Sequence, residues 1–156
     1  MFIIRAAFPR SIIVLTGESL RPSYRRKIMV TIMTVGAAVS SGEFSDEIGA
    51  RDAAKAVSVD SGGAALDMLL EKQVDLVIVD ETLKDMSGLD LARQVAVKNP
   101  LAAVALVSPL SEEAFHETTE GLGLLAQLPP HPRRSDARVL LEKFARVVRM
   151  TERVGG

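Results

Sequence analysis

The sequence predicts an α/β fold in which five parallel strands form one doubly wound sheet, covered on both faces by helices as a three-layer sandwich. Two observations lead to this fold class. Short continuous apolar runs alternate along the chain with helical patterns, as in repeated βα units. The clearest runs, residues 74–79, 102–107 and 124–128, are mostly apolar without regular alternation, which is typical of strands buried on both faces.

Composition limits the classes of function. The chain has 156 residues, enough for one domain, and its aromatic content of 4% leaves a core of aliphatic side chains. The formal net charge of −1 disfavours a nucleic-acid partner held by bulk charge. The absence of cysteine excludes disulfides, thiolate metal sites and a cysteine nucleophile. No continuous apolar stretch approaches the ~20 residues of a membrane span, so we expect a cytoplasmic protein.

Helical patterns fill the intervals between the apolar runs. Helices are predicted over residues 63–72 and 89–98, and Ser111 is a helix start with a hydroxyl cap followed by two acids. The last helix opens at Ser135 and ends near Met150. The predicted domain therefore covers residues 11–150, with flexible ends at residues 1–10 and 151–156.

The first third of the chain is ambiguous. Residues 11–15 favour the first strand. Leu20, Tyr24, Ile28 and Ile32 then recur at helical spacing, with basic residues on the other face, and a helix is the preferred interpretation. The alternative is a strand over residues 28–35, which are apolar and β-branched. Residues 38–55 are expected to be an insert, a loop with a short helix from Ser45, before a strand over residues 56–59.

Polar residues follow three of the predicted strands. Asp80 closes the third strand, Ser108 closes the fourth, and Thr16, Gly17 and Glu18 follow the first. In an open parallel sheet, ligand-binding and reactive groups gather at the carboxyl ends of the strands. These positions are therefore the candidate site.

The segment VDLVIVDETLKDMSGL, residues 74–89, resembles the signature of the response-regulator receiver domain. In that family an aspartate ends the third strand, and a loop with Met and Gly leads into the third helix. The small residues 61–66 and the basic run 24–28 resemble further parts of the family pattern. The resemblance implies a CheY-like (flavodoxin-like) fold and a two-component signalling module rather than an enzyme.

The resemblance also implies roles for particular residues. Asp80 matches the phosphoacceptor and Ser108 the switch hydroxyl. The implied cofactor is Mg²⁺, held by Asp80 and a pair of acids after the first strand. That pair falls on Thr16 and Gly17, with Glu18 one position later as the remaining candidate ligand.

The acid pair is missing under both interpretations of the first strand, and the family's lysine and aromatic switch residue are missing as well. If residues 28–35 form the first strand, the acid pair falls on Gly36 and Ala37, which carry no carboxylate either. The family's lysine falls near Pro130 and is absent, and Gln127 replaces the usual aromatic switch residue. Phosphoryl transfer to an aspartate depends on neutralising charge, so the chemistry is expected to be degraded.

Arg133 and Arg134 are candidate anion-binding residues, because the guanidinium group offers a planar fork of donors. A few receiver-like proteins similarly use arginines near this edge to bind a cyclic dinucleotide. A solvated charge cluster is the alternative interpretation of this pair.

Three functions stay open at this point. The first is a stand-alone degenerate receiver acting through protein contacts on the face made by the fourth helix, fifth strand and fifth helix. The second is a working aspartyl-phosphate acceptor, and the third is a module for a small anionic ligand such as a cyclic dinucleotide. The partners implied are a histidine kinase, a phosphotransferase or a downstream effector, and a homodimer is compatible with each function.

Overall fold

A computed structural model describes residues 29–154 of the chain. Strands and helices alternate strictly within them. The elements are β1 (Val30–Val35), α1 (Gly42–Gly49), β2 (Ala54–Val59), α2 (Gly62–Glu71), β3 (Leu76–Val79), α3 (Gly88–Lys98), β4 (Ala103–Val107), α4 (Glu112–Thr118), β5 (Ala126–Leu128) and α5 (Arg134–Val154).

The five strands form one parallel sheet in the order β2-β1-β3-β4-β5. The predicted fold class, a doubly wound α/β sandwich, is confirmed. β1 lies inside the sheet, with β2 on one side and β3 on the other. Because all strands run in one direction, their carboxyl ends meet at a single edge.

The sheet separates two apolar cores. On one face, α2, α3 and α4 bury Ala65, Leu91, Val95 and Phe115 against the strands. On the other face, α1 and α5 bury their own apolar stripes, which are formed by Phe44, Ile48, Leu140 and Phe144. Continuous burial of β3 on both faces explains its unbroken apolar sequence.

Three helices begin at a serine, and the cap at Ser111 was predicted from the sequence. The side-chain oxygens of Ser61, Ser87 and Ser111 each accept a hydrogen bond from the N–H three residues later, at 3.1–3.2 Å. Each bond satisfies one of the free N–H groups of the first helical turn. These caps fix the points at which the chain turns from the site edge into α2, α3 and α4.

The front of the domain differs from the preferred interpretation. Residues 30–35 form β1, so the helix expected to include Ile32 is wrong and the alternative strand is confirmed. Pairing on both sides and burial of Ile32 to Val35 stabilise an extended β-branched segment here. The strand predicted at residues 11–15 lies outside the described residues.

Residues 38–55 are not an insert. They contain α1 and the first two residues of β2, and so belong to the regular βα alternation. Gly42 and Gly49 bound the helix, and they made the segment resemble a loop. At the other end, α5 continues to Val154, past the end expected near Met150.

Among the described residues, no helix has the length and apolar character needed to cross a membrane.

Candidate functional site

The candidate site lies at the carboxyl edge of the sheet, where three strand ends meet. Asp80 follows β3, Ser108 follows β4, and Gly36 and Ala37 follow β1. The backbone N–H of Asp80 donates to the carbonyl of Val35 at 2.9 Å, which joins the ends of β1 and β3. The structure therefore brings the predicted phosphoacceptor next to the position of the missing acids.

The half-buried Asp80 carboxylate accepts hydrogen bonds from the protein backbone on both of its oxygens. Ala38 N–H donates to Oδ2 at 3.1 Å, and Glu81 N–H donates to Oδ1 at 2.8 Å. The first bond crosses from β3 to the loop that leads from β1 to α1. Asp80 thus fixes the path of this loop across the sheet edge.

Gly36 is pressed against Asp80. A Cβ atom at position 36 would lie 2.5 Å from Asp80 Cβ, far inside van der Waals contact. Gly36 also has a φ of 101°, in the region that side chains avoid. This backbone therefore leaves no room at position 36 for the acid that the family resemblance implies.

The described residues do not fit the Mg²⁺ site that the resemblance implies. Mg²⁺ requires several hard oxygen ligands in near-octahedral geometry. The positions of the paired acids hold Gly36 and Ala37, which supply no carboxylate beside Asp80. In residues 29–154 there is no group of three acidic or histidine side chains placed to hold a metal ion. The other candidate ligand, Glu18, lies outside the described residues.

The predicted switch hydroxyl of Ser108 is 7% exposed and bonds within its own loop. Its oxygen accepts the N–H of Leu110 at 3.2 Å. The side chain of Gln127, on β5, then donates from Nε2 to the carbonyls of Leu110 and Ser108, at 2.7 and 3.2 Å. Gln127, where an aromatic residue was expected from the resemblance, therefore ties the loop after β4 to β5.

A cation that the sequence analysis did not assign stands at the rim of the site. Lys84, in the loop after β3, pairs with Asp60, which follows β2. The hydrogen bond and charge of Lys84 lower the pKa of the Asp60 carboxyl below its usual value. A cleft of about 690 Å³ lies beside this pair and reaches Asp80. Its lining also includes Ser40 and Ser58, which are both hydrogen-bonded to the buried Thr34 hydroxyl.

The loop after β3 is fastened to the start of α2. Asp85 accepts the N–H groups of Gly62 and Gly63, both at 2.8 Å. These bonds, from Gly63 and then Gly62, lower the pKa of Asp85. Met86 packs so closely on Gly62 that a Cβ there would clash with its sulfur. Sequence spacing carries no sign of this contact, because the partners are more than 20 residues apart.

The predicted anion-binding arginines lie at the start of α5. Arg134 is held by Glu47 of α1, with Nε 3.9 Å from Oε2. Glu47, whose side chain is only 14% exposed, also pairs with Arg138 and Arg51. The Arg133 N–H donates to Asp136 at 2.7 Å. An anionic ligand would have to compete with Glu47 for Arg134, so the cluster serves the contact between α1 and α5.

The missing lysine has no substitute at the end of β5. Pro129 and Pro130 are exposed there, and the following His131 is exposed with a φ of 55°. Neither proline carries a donor. Among the described residues lining the Asp80 cleft, Lys84 is the only cation.

Comparison with known proteins agrees with the fold. The family model described as "Response regulator receiver domain" matches residues 41–129, more than half of the chain. No curated protein gives a significant match.

Solved structures with the same fold include a CheY-like receiver domain protein from Methanospirillum hungatei JF-1, with 17% identity, a TM-score of 0.66, and coverage of 80% of this chain and 98% of the other. The chemotaxis response regulator CheY4 of Vibrio cholerae has 13% identity, a TM-score of 0.65, and coverage of 74% and 98%. The signal receiver domain of an HD domain-containing protein from Pseudomonas fluorescens Pf-5 has 17% identity, a TM-score of 0.63, and coverage of 80% and 92%.

Proposed function

This chain belongs to the response regulator receiver domain family, and from that membership we propose that it is a degenerate receiver that acts in the cytoplasm through protein contacts. Receiver domains are signalling modules of two-component systems and generally not enzymes. In this chain the phosphoacceptor position has become part of the framework of the domain.

One observation carries the proposal: both oxygens of Asp80 accept backbone N–H groups, from Ala38 and Glu81. A carboxylate that attacks phosphorus needs a free lone pair and nearby positive charge on the phosphoryl oxygens. Here one lone pair of each oxygen is engaged. The close approach of Gly36 to Asp80 leaves no room for a metal-binding acid, and Lys84, the only cation among the described residues of the cleft, pairs with Asp60. Asp80 is therefore a structural tether.

The hydrogen bonds of Gln127 support the same proposal from the other side of the site. Switching would require Ser108 and its loop to move toward a modified Asp80. The two bonds from Gln127 hold that loop on β5 with Leu110 43% exposed. α5 presents further exposed apolar side chains at Val139, Val147 and Met150. A protein partner would bind these surfaces in a single conformation, whatever the state of Asp80.

Incubation with Mg²⁺ and a small phosphodonor tests the proposal, with intact mass as the readout. We expect no added phosphate in the wild type or in Asp80→Asn, while an active receiver treated in parallel gains 80 Da or so. A phosphoprotein that is lost in Asp80→Asn would overturn the proposal and establish the alternative, a working phosphoacceptor. The retention of Asp80 and Ser108 at neighbouring strand ends is what favours that alternative.

A second measurement asks whether the domain responds to a phosphoryl mimic. The ¹H–¹⁵N spectrum of the protein is recorded with and without Mg²⁺ and beryllofluoride. A degenerate receiver shows no shifts at residues 108–112 or 127. Saturable shifts there, absent in Asp80→Asn, would contradict the proposal.

A further inference from the structure

An apolar groove lies at the end of the sheet opposite to Asp80. It has a volume of about 410 Å³ and runs between the start of β1, the start of β2 and the second half of α5. Its floor and walls are formed by Val30, Ile32, Ala54, Phe144 and Val148. Charged side chains in its lining are Arg51, Glu142 and Arg149.

The groove exists because the two helices on this face differ in length. α1 has 8 residues and α5 has 21, which corresponds to about 12 Å and about 31 Å of helix. α1 ends at Gly49 and covers only the part of α5 nearest the site edge. Among the described residues, no element covers the groove beside the second half of α5. Leu141 and Val148 are consequently only partly buried against the α1–α5 core.

The chain has a segment with a predicted apolar stripe directly before β1, at the edge of the groove. β1 begins at the groove, because Val30 lines it, so residue 28 is two positions from the groove wall. Leu20, Tyr24 and Ile28 recur every four residues, and together they form one apolar stripe if the segment is helical. Arg21, Arg25, Arg26 and Lys27 fall on the other side of that stripe.

We propose that residues 20–28 occupy this groove, with Leu20, Tyr24 and Ile28 packed against α5 and the start of β1. The segment would complete the α1–α5 core in the place that α1 is too short to reach. Its basic face would turn to solvent, away from the apolar floor of the groove. A contiguous exposed apolar surface on a soluble domain marks an interaction site.

The single tyrosine makes the proposal directly testable on the full chain. The protein has one Tyr and no Trp, so emission excited at tyrosine wavelengths reports on Tyr24 alone. Quenching of this emission by acrylamide measures how much of the ring is accessible. We expect a quenching constant several-fold below that of a free tyrosine amide.

A charge placed in the groove should release the segment. Ala145 is exposed and lines the groove, so Ala145→Arg blocks it without removing a buried side chain. Val139→Arg is the matched control, because Val139 is an exposed residue of α5 outside the groove lining. Ala145→Arg should raise the quenching constant of Tyr24 toward that of the free amide, and Val139→Arg should leave it unchanged.

Two outcomes overturn the proposal: a wild-type Tyr24 as accessible as the free amide, and a protected Tyr24 that Ala145→Arg does not expose. Should Ala145→Arg fail to fold, Leu20→Asp changes only the segment and must also expose Tyr24. Sedimentation velocity at the protein concentrations used for quenching tests whether a second copy of the chain fills the groove instead. If protection of Tyr24 disappears on dilution as a dimer dissociates, a second copy of the chain fills the groove, and the proposal is again wrong.

Discussion

The backbone N–H of Ala38 donates to Oδ2 of Asp80 at 3.1 Å, so the predicted phosphoacceptor holds the loop between β1 and α1 in place. Removing the carboxylate leaves the N–H groups of Ala38 and Glu81 without this acceptor. We expect Asp80→Ala to lower the free energy of unfolding by about 1–3 kcal/mol. Asp80→Asn keeps one carbonyl oxygen and should lose less.

Urea denaturation followed by circular dichroism measures this difference. Glu81→Ala is the control, because it removes the neighbouring exposed carboxylate while keeping the backbone N–H that binds Asp80. If Asp80→Ala is as stable as the wild type, Asp80 is not a tether.

Gly36 should not tolerate a side chain. Its φ is 101°, and a Cβ would lie 2.5 Å from Asp80 Cβ, so Gly36→Ala should cost at least about 3 kcal/mol of unfolding free energy. Gly42→Ala is the matched control. Gly42 has a φ of 71° with no atom within 4 Å of an added Cβ, and only the cost of about 1–2 kcal/mol for that backbone region is expected. Equal losses in the two variants would show that the contact with Asp80 is relieved.

Gln127 should set the rigidity of the loop after β4. Gln127→Ala removes two hydrogen bonds and should lower the unfolding free energy by about 1–2 kcal/mol. Gln127→Glu should be worse, because a carboxylate would face the carbonyl oxygens of Ser108 and Leu110. Hydrogen exchange of residues 108–112 should accelerate in both variants. The exposed Gln73→Ala serves as control, and unchanged exchange in Gln127→Ala would refute the role.

Asp85 should make the thermal stability of the domain depend on pH. The N–H groups of Gly63 and Gly62 lower the pKa of Asp85 in the folded protein. The contribution of Asp85 to folding stability is therefore fully present above the unfolded pKa of ~3.9, and it is lost as pH falls through the folded pKa. Asp85→Asn should therefore have a lower Tm than the wild type at pH 7, and the difference should shrink below about pH 4. Asp67→Asn, at an exposed position of α2, should show no such convergence. A constant gap between Asp85→Asn and wild type down to pH 2 would contradict this account.

The central elements were predictable from sequence because each carries a local signal. Unbroken apolar runs mark β3 and β4, and a serine cap marks the start of α4. The position of β1 could not be predicted from the sequence, because residues 28–35 satisfy both a helical and an extended pattern. Pairing with β3, whose register joins Ile32 to Leu76, decides between them, and such a contact is invisible to a local window.

The site was predictable only as far as strand ends could reveal it. Asp80 and Ser108 were located, and both lie at the carboxyl edge. What each oxygen binds could not be inferred. The bonds of Asp80 to Ala38 and of Gln127 to Leu110 join loops 42 and 17 residues apart. Such bonds depend on how neighbouring strands bring their loops together.

The strand order also determines which strands could pair with the sheet of another molecule in a concentrated solution. Among the strands that the structure describes, β2 and β5 are the outer ones, so each has one side that no described strand pairs with. β5 has three residues and runs directly into Pro129 and Pro130, while β2 carries the exposed Lys55 near its start. Short strands, prolines and lysine charges all oppose edge-to-edge association. Growth of the sheet from one molecule into the next is therefore disfavoured on both sides.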